Sequence, residues 1–300
     1  MKRFLINVFI FGCCCCLLFL IGEGVVRHLP NSYTSKKDYI ENSGQKIKTL
    51  ILGSSHTYYG LIPELLGDSV FNLANISQTP EYDLALLKHF LVKMPNLKRI
   101  IIPISYFTYV DPEIEDDNCW TLAIKYKTKM KLPVHPDFSI YNLEITDFNS
   151  YKGQLANLIL KRPSNKCSET GFGLGYTLEN READWQSLGE KRASAHTVNN
   201  PERWKSVRHT QQQLLDLAIS NGCEVIFITT PGYKTYTECF DSIQENIMRQ
   251  NIAFLKENYQ VRYLDFLRDP NFTENDFYDP DHLSEDGAKK LTLLLKEIIK

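Results

Sequence analysis

Short apolar runs alternate with amphipathic segments along most of this 300-residue chain. The runs are "KTLILGSS", "SVFNLAN", "LKRIIIPIS", "CEVIFITTPG" and "VRYLDF". Nearly continuous apolar runs of this length are typical of parallel strands that are covered on both faces. Segments with helical spacing separate most of them, such as the one that carries Leu84, Leu87 and Leu91 after Pro80. We therefore predict an α/β fold, with one parallel sheet of about five strands and helices on both faces.

The beginning of the chain predicts a membrane anchor. Lys2 and Arg3 precede residues 4–22, nineteen residues without a charge. As a helix this span would be roughly 28 Å long, enough to cross the hydrocarbon core of a bilayer. Positive charge before the span favours a cytoplasmic N-terminus and an extracytoplasmic remainder. A cleaved signal peptide begins similarly, but no clear small-x-small cleavage site follows. We predict an uncleaved anchor over 1–29 and a polar stalk over 30–46.

Composition narrows the range of partners and cofactors. The formal net charge is −2 and no long basic stripe is present, so nucleic acid is not predicted as a partner. Four of the eight cysteines, Cys13 to Cys16, lie in the apolar span, where acylation is the alternative to a purely apolar role. The other four form no CxxC pair, and their spacing predicts neither zinc nor a particular disulfide pairing. They are Cys119, Cys167, Cys223 and Cys239. No cofactor is predicted.

The strand and helix pattern stops between about residues 111 and 200. This stretch is rich in Asp, Asn, Lys, Tyr and Gly. Gly171, Gly173 and Gly175 form GxGxG, but no strand–helix frame surrounds them, so a loop or small hairpin is predicted rather than a phosphate site. Insertions at the edge of a sheet often shape the substrate site. We therefore predict a lid within an α/β domain that spans 47–300.

Small polar residues end the first apolar run. Gly53, Ser54 and Ser55 follow it directly, and turn chemistry alone can explain such residues. The carboxyl ends of parallel strands are also where α/β proteins hold their sites. Late in the chain, Asp279 and His282 are spaced D-x-x-H in a predicted loop before the last helix. That loop returns to the same edge of the sheet, so we expect the two stretches to meet.

A serine, a histidine and an aspartate at one edge predict nucleophilic catalysis. A serine hydroxyl needs a base to take its proton, and histidine does so near neutral pH. A carboxylate then orients the imidazole and stabilises its cation. We predict Ser55 as nucleophile, His282 as base and Asp279 as orienting acid. Ser54 and Asp281 are the alternatives for nucleophile and acid, and an Asp279/Asp281 metal site lacks evident further ligands.

The pairing of a serine after the first strand with a late D-x-x-H resembles the SGNH/GDSL hydrolase superfamily. Gly53-Ser54-Ser55 stands where that superfamily has Gly-Asp-Ser. The resemblance implies a flavodoxin-like three-layer sandwich and an oxyanion hole that uses the Ser55 N–H with a Gly and an Asn from two further blocks. Asn75 ends the second predicted strand, whereas the third ends at Ser105 without the expected Asn. Gly53, Asn75, Ser105 and His56 are the predicted oxyanion and substrate-binding residues.

The anchor, the G-S-S start and the "DPDHLSEDGAKKL" end are similar to membrane-anchored members of this superfamily that modify cell-envelope polymers. Examples are the D-alanyl-lipoteichoic acid transfer protein and the alginate O-acetylation proteins. The resemblance implies an extracytoplasmic esterase or O-acyltransferase on acyl groups of an envelope polysaccharide. A membrane acyl-donor protein is the second implied partner. The alternative is an SGNH-fold binding or scaffold protein that has lost its chemistry.

Overall fold

The computed structural model describes residues 1–110, 120–133, 143–146, 148–161, 166–198 and 202–299. The chain forms two compact units. The first comprises Met1–Thr34 and Glu115–Asn165, and the second comprises Ser35–Ile114 and Lys166–Lys300. The second unit contains the sheet, and it is called the sheet unit below.

A parallel sheet of five strands has the order β2-β1-β3-β4-β5. Its strands are β1 (Thr49–Ile51), β2 (Val70–Asn72), β3 (Arg99–Pro103), β4 (Glu224–Thr229) and β5 (Arg262–Asp265). All five predicted strands are therefore confirmed, and the order is that of a flavodoxin-like doubly wound sheet. In this order the chain reverses direction across the sheet between β1 and β3, so the crevice between their carboxyl ends is where ligands bind in such folds.

Helices follow most of the strands, as the alternating pattern predicts. The helices are α1 (Lys2–His28), α2 (Ser32–Ser43), α3 (Ser55–Tyr58), α4 (Pro63–Leu66), α5 (Pro80–Phe90), α6 (Trp120–Lys129), α7 (Phe148–Ile159), α8 (Gly189–Ala195), α9 (Trp204–Ser220), α10 (Lys234–Thr237), α11 (Ser242–Asn258) and α12 (Glu285–Ile298). Local chemistry sets several of their starts. Pro80 occupies the first turn of α5, where its missing N–H costs nothing. Ser284 caps α12 by accepting the N–H of Gly287 at 3.2 Å.

The core of the sheet unit explains why its strands read as continuous apolar runs. Leu50, Ile101 and Ile226 on three neighbouring strands are fully buried. Leu291 and Leu295 of α12, one helical turn apart, pack into the same cluster as Ile101 and Ile226. Burying each such side chain contributes about 1.5–3 kcal/mol relative to leaving it in water. The last helix is thereby held against the sheet, which fixes the segment that precedes it.

That preceding segment is a hairpin, although the sequence predicts only a loop. The strands β6 (Phe277–Asp279) and β7 (His282–Leu283) pair antiparallel, with Asp279 opposite His282. Gly287 allows α12 to approach this hairpin, because a Cβ there would lie 1.9 Å from the carbonyl oxygen of Asp276. The hairpin therefore presents Asp279 and His282 from a paired backbone rather than from a free loop.

The first unit contains α1, which is long and apolar enough to cross a membrane. The segment predicted as a polar stalk, 30–46, contains α2, in which Lys36 and Ile40 are buried. The predicted lid, 111–200, is divided between the two units: α6 and α7 belong to the first, and residues 166–198 belong to the sheet unit. The GxGxG stretch forms a small bridge between Cys167 and Gly173.

Three of the four cysteines outside the apolar span are described, and none of them forms a disulfide. Cys167, Cys223 and Cys239 are free thiols. Cys119 lies outside the described residues.

Candidate active site

A tight turn after β1 places Ser55 at the carboxyl edge of the sheet. Gly53 has φ +106°, a left-handed conformation that side chains rarely adopt, and a Cβ there would lie 2.0 Å from Cγ of Pro103. The N–H of Gly53 donates to Oδ1 of Asp83 at 2.8 Å, and this bond holds the turn from below. Ser54 then caps α3, so the half-buried Ser55 is the first residue of that helix. The glycine is therefore required by both conformation and space.

The hairpin brings His282 and Asp279 to this serine. Nε2 of His282 lies 2.8 Å from Oγ of Ser55, although the two residues are 227 positions apart. Nδ1 of His282 lies 3.0 Å from both carboxylate oxygens of Asp279. A carboxylate can only accept, so Nδ1 carries the hydrogen and Nε2 is free to accept the serine proton. The three residues form one continuous chain of hydrogen bonds.

The carboxylate of Asp279 is itself fixed by further bonds. Its Oδ1 accepts the backbone N–H groups of Asp281 at 3.0 Å and His282 at 2.9 Å. Its Oδ2 accepts from Nη2 of Arg192 at 2.9 Å. Nε of the same arginine lies 2.8 Å from Oδ1 of Asp281. Arg192 of α8 thus bridges both aspartates, and sequence reasoning missed it because no motif surrounds it.

Asp281, the alternative acid, also lies beside the imidazole. Its Oδ2 is 3.5 Å from Nδ1 of His282, farther than either oxygen of Asp279. Its charge still acts on the histidine. Burial lowers the pKa of His282, but the carboxylates of Asp281 and Asp279 outweigh burial and raise that pKa above its usual value. Burial raises the pKa of Asp281, and His282 and His56 outweigh it, holding that pKa well below its usual range.

His56 and Ser105 form a second pair next to the first. Nδ1 of His56 lies 2.8 Å from Oγ of Ser105, so the Ser105 hydroxyl is engaged with an imidazole. Nε2 of His56 lies 3.7 Å from Oδ2 of Asp281, too long for a hydrogen bond. Burial lowers the pKa of His56, which favours its neutral form. The two predicted residues therefore line the site from behind His282, whose ring centroid is 5.2 Å from that of His56.

His56, Asp281 and His282 also form a group that could hold a metal ion, since their ligand atoms lie within 4.8 Å of one another. Two features of the site oppose this use. Nδ1 of His282 is already bonded to Asp279, and Arg192 places a positive charge on Asp281. A cation would compete with both, so the donor set fits a hydrogen-bonded network better than a metal site.

Asn75 does not present a free amide to the site. Its Nδ2 donates to the carbonyl oxygen of Leu73 at 3.3 Å and to Oε1 of Gln78 at 3.0 Å. Its backbone N–H donates to the carbonyl oxygen of Gly53 at 3.1 Å. In this structure Asn75 supports the turn after β1, and the predicted role of its side chain as an oxyanion donor is not seen.

Tyrosines adjoin the histidine and differ in how much of their rings they expose. Tyr58, Tyr59, Tyr106 and Tyr109 are all buried and expose little ring surface. Tyr176 and Tyr278 are half-buried and stack on one another, with ring centroids 4.0 Å apart. Tyr176 also stacks on Tyr59 at 3.7 Å, and its centroid is 5.2 Å from that of His282.

A cavity of about 320 Å³ adjoins this stack. Trp185, Arg192, Tyr278 and Asp279 are among the residues that line it. Asp279 and Arg192 therefore border a space that is large enough for a small ring, and Trp185 and Tyr278 lie beside it.

Comparison with known proteins adds no family. No protein-family model matches the chain. No curated protein matches it either. Among solved structures, a candidate acylhydrolase from Bacteroides fragilis is similar at 11% identity and a TM-score of 0.40, covering 87% of this chain and 93% of that one. A GDSL-like lipase from Bacteroides thetaiotaomicron is similar at 10% identity and a TM-score of 0.41, covering 89% of this chain and 98% of that one. These values are too low to support an argument, so the fold stands on its own strand order.

Proposed function

We propose that this protein is a serine esterase or O-acyltransferase that uses Ser55, His282 and Asp279. The observation that carries the proposal is the chain of hydrogen bonds from Ser55 Oγ through both imidazole nitrogens to Asp279, at 2.8 and 3.0 Å. This order of groups is the one that serine acyl transfer needs. A serine that merely ended a strand would have no reason to meet a buried, carboxylate-bound imidazole.

The reaction has two halves. In the first, Ser55 Oγ attacks the carbonyl carbon of an ester while its proton passes to Nε2 of His282. The tetrahedral intermediate then breaks its bond to the leaving alcohol, which takes that proton, and an acyl-serine remains. In the second half, water or a sugar hydroxyl gives its proton to Nε2 and attacks the acyl group. Ser55 leaves with the proton, and the product is an acid or a new ester.

The negative charge of the intermediate needs hydrogen-bond donors. The N–H of Ser55 opens α3, a position where a helix has no partner of its own for an amide hydrogen. It is therefore our proposed oxyanion donor, while the amide of Asn75 is engaged elsewhere. Removing one such donor from an enzyme typically costs about 10²- to 10³-fold in rate. The presence of a second donor in this site is therefore open to test by the rates of variants.

We further propose that α1 remains attached and anchors the protein, with the sheet unit outside the cytoplasmic membrane. Support comes from the end of α1. The carboxylate of Glu23 accepts the N–H groups of Glu144 at 2.8 Å and Ile145 at 3.2 Å, and Lys129 donates to the carbonyl oxygen of Val26 at 3.0 Å. A signal peptide that is removed has no reason to take part in a buried network of the mature chain.

The proposed substrate is an acylated polysaccharide or another envelope polymer. Tyr278 stacks on Tyr176 with one face and lines the cavity beside Asp279, so its other face is suited to a sugar ring, because aromatic faces pack on the C–H groups of sugars. Transfer is favoured over hydrolysis, since an anchored enzyme meets a polymer acceptor at high effective concentration. A membrane acyl-donor protein is the proposed partner for transfer.

A scaffold protein with the same fold is the second candidate. The engaged amide of Asn75 favours it, because the oxyanion hole then has a single donor among the predicted residues. This candidate predicts an intact fold without an activated serine.

Labelling with a fluorophosphonate, which phosphonylates activated serines with loss of fluoride, tests the two candidates on the full-length chain in detergent micelles. We expect wild type to be labelled, and Ser55→Ala and His282→Ala to lose about 10⁴-fold or more in rate. Ser54→Ala is the matched control, since its hydroxyl only accepts a long bond of 3.4 Å from the N–H of His56. Absence of labelling in folded wild type would favour the scaffold. Labelling that is lost in Ser54→Ala but kept in Ser55→Ala would show that Ser54, and not Ser55, is the nucleophile.

A further inference from the structure

The helix α7 lies at the level where the apolar span of α1 ends. Tyr151 of α7 packs against Gly22, the last residue of that span, so closely that a Cβ on Gly22 would lie 2.1 Å from the tyrosine Oη. Just before α7, the turn Glu144–Thr146 donates two backbone N–H groups to the carboxylate of Glu23. The first turn of α7 therefore sits beside residues 22 and 23 of α1.

Buried charges fix this arrangement. Lys129 is 3% exposed and lies 3.2 Å from the carboxylate of Glu144, which is 4% exposed. The same ammonium donates to the carbonyl oxygens of Val26 and Arg27 at the end of α1, at 3.0 and 2.8 Å. Arg27 in turn bonds to Glu23 at 2.7 Å. Breaking one partner of such a network leaves a buried charge unpaired, so α7 is held firmly against the end of α1.

An adjoining strip of the α7 surface exposes apolar side chains. Phe148 is 61% exposed and Ile159 is 78% exposed, and residues 148, 152, 156 and 159 recur at helical spacing. Leu160, directly after the helix, is 56% exposed. Lys152 interrupts the stripe, but its Nζ lies 6.0 Å from the centroid of the Phe148 ring, as a lysine that covers an apolar surface would. Tyr151, which borders this stripe on one side, is buried.

We infer that α7 lies in the membrane–water interface, with Phe148, Ile159 and Leu160 in the boundary between headgroups and acyl chains. The inference rests on the anchoring role proposed for α1. If α1 spans the bilayer, residues 22 and 23 mark the end of the hydrocarbon, and the first turn of α7 is fixed at that depth. Lipid is the occupant that matches this position, because the stripe begins beside the end of the apolar span of α1, at the depth where in-plane amphipathic helices bind. The chain is then attached by two elements, a span and a surface helix.

Photocrosslinking in vesicles tests this inference. The photoreactive residue p-benzoyl-phenylalanine replaces Phe148 or Ile159, one at a time, in the full-length chain. The protein is reconstituted into vesicles of phosphatidylethanolamine and phosphatidylglycerol, and lipid adducts are measured by mass spectrometry. Position 18, a leucine that is 70% exposed within the span, reports on α1 itself. Ile243, an isoleucine of the sheet unit that is 67% exposed, is the matched control for exposure.

The outcomes separate the inference from the anchor. We expect adducts at positions 18, 148 and 159 at yields several-fold above that at position 243. Adducts at 18 without adducts at 148 and 159 would overturn the interfacial helix and leave the anchor standing. No adduct at 18 would overturn the anchor, and the inference with it. Equal yields at 159 and 243 would show that exposure alone sets the yield, and the inference would be wrong. A thermal unfolding curve of each variant confirms that it is folded.

Discussion

Replacing Asp279 with asparagine keeps the shape of the side chain and puts a hydrogen-bond donor where one carboxylate oxygen accepts. The backbone N–H groups of Asp281 and His282 both donate to Oδ1 of Asp279, at 3.0 and 2.9 Å. They will hold the oxygen of the new amide in that place. Its NH₂ group must then occupy the position of Oδ2, where it faces Nδ1 of His282 at 3.0 Å and Nη2 of Arg192 at 2.9 Å.

This geometry favours the wrong tautomer of the histidine. A hydrogen on Nδ1 of His282 would face the NH₂ group, donor against donor, whereas Nδ1 without a hydrogen accepts from that group and leaves the ring hydrogen on Nε2. The amide oxygen at the Oδ1 position, 3.0 Å from Nδ1, is the remaining acceptor for the productive tautomer. An imidazole that carries its hydrogen at Nε2 cannot take the proton of Ser55. We expect Asp279→Asn to lose about 10³- to 10⁴-fold in the rate of acylation, equivalent to ~4–5.5 kcal/mol in the barrier. Asp279→Ala should lose less, because Asp281 Oδ2, 3.5 Å from Nδ1, can then accept its hydrogen.

The assay is the second-order rate constant of fluorophosphonate labelling, measured on full-length variants in micelles at a pH above the pKa of His282. Thermal unfolding midpoints check that both variants are folded. Asp279→Asn within about tenfold of wild type would refute the reasoning, because an enzyme that depends on this tautomer cannot tolerate the amide. A folded Asp279→Ala that labels more slowly than Asp279→Asn would also refute it.

Three further variants test the neighbouring groups. Burial lowers the pKa of His282, but the neighbouring carboxylates, Asp281 foremost, raise it above the usual value. Since the base must be neutral, the labelling rate rises with pH through this pKa. Asp281→Asn should therefore move the midpoint of a pH–rate profile to lower pH, and an unchanged midpoint would contradict the assignment. Gly53→Ala forces a left-handed backbone, at a cost of roughly 1–2 kcal/mol before any clash, and should lower both the unfolding midpoint and the labelling rate. Gly67→Ala is its control, since φ is +152° there but no atom lies within 4 Å of the added Cβ. Burial lowers the pKa of Lys36 to about 7 from 10.5, so between these values the unfolded chain binds the extra proton and stability should rise with pH, by up to about 1.4 kcal/mol per unit. Lys36→Met should flatten that rise in urea titrations at successive pH values, and an identical slope would show that Lys36 is not the titrating group.

Much of the sheet could be predicted because its strands are buried on both faces. Runs such as Arg99–Pro103 have no solvent side, so the sequence is apolar without interruption. The meeting of Ser55 with His282 could also be predicted, because parallel strands place their carboxyl ends at one edge and short connections follow them. These inferences need only the periodicity of the chain and the handedness of its connections.

The supporting contacts of the site could not be predicted in the same way. The engagement of the Asn75 amide with Gln78 depends on how the turn after β2 closes, and a strand-end asparagine reads the same whether its amide is free or bonded. The pairing of Phe277–Asp279 with His282–Leu283 involves too few residues to show a period of two. Lys36 lies in a polar segment that reads as exposed, and only tertiary packing buries it.

Arg192 shows why one such contact matters to the chemistry. Asp279 and Asp281 are both buried near the same imidazole, and two carboxylates so close repel one another. Arg192 donates a hydrogen bond to Asp279 and forms an ion pair with Asp281, so its positive charge offsets that repulsion while both carboxylates act on His282. The D-x-D-H spacing alone therefore describes an incomplete site. Its missing cation comes from α8, within the stretch where the sequence shows no strand or helix period.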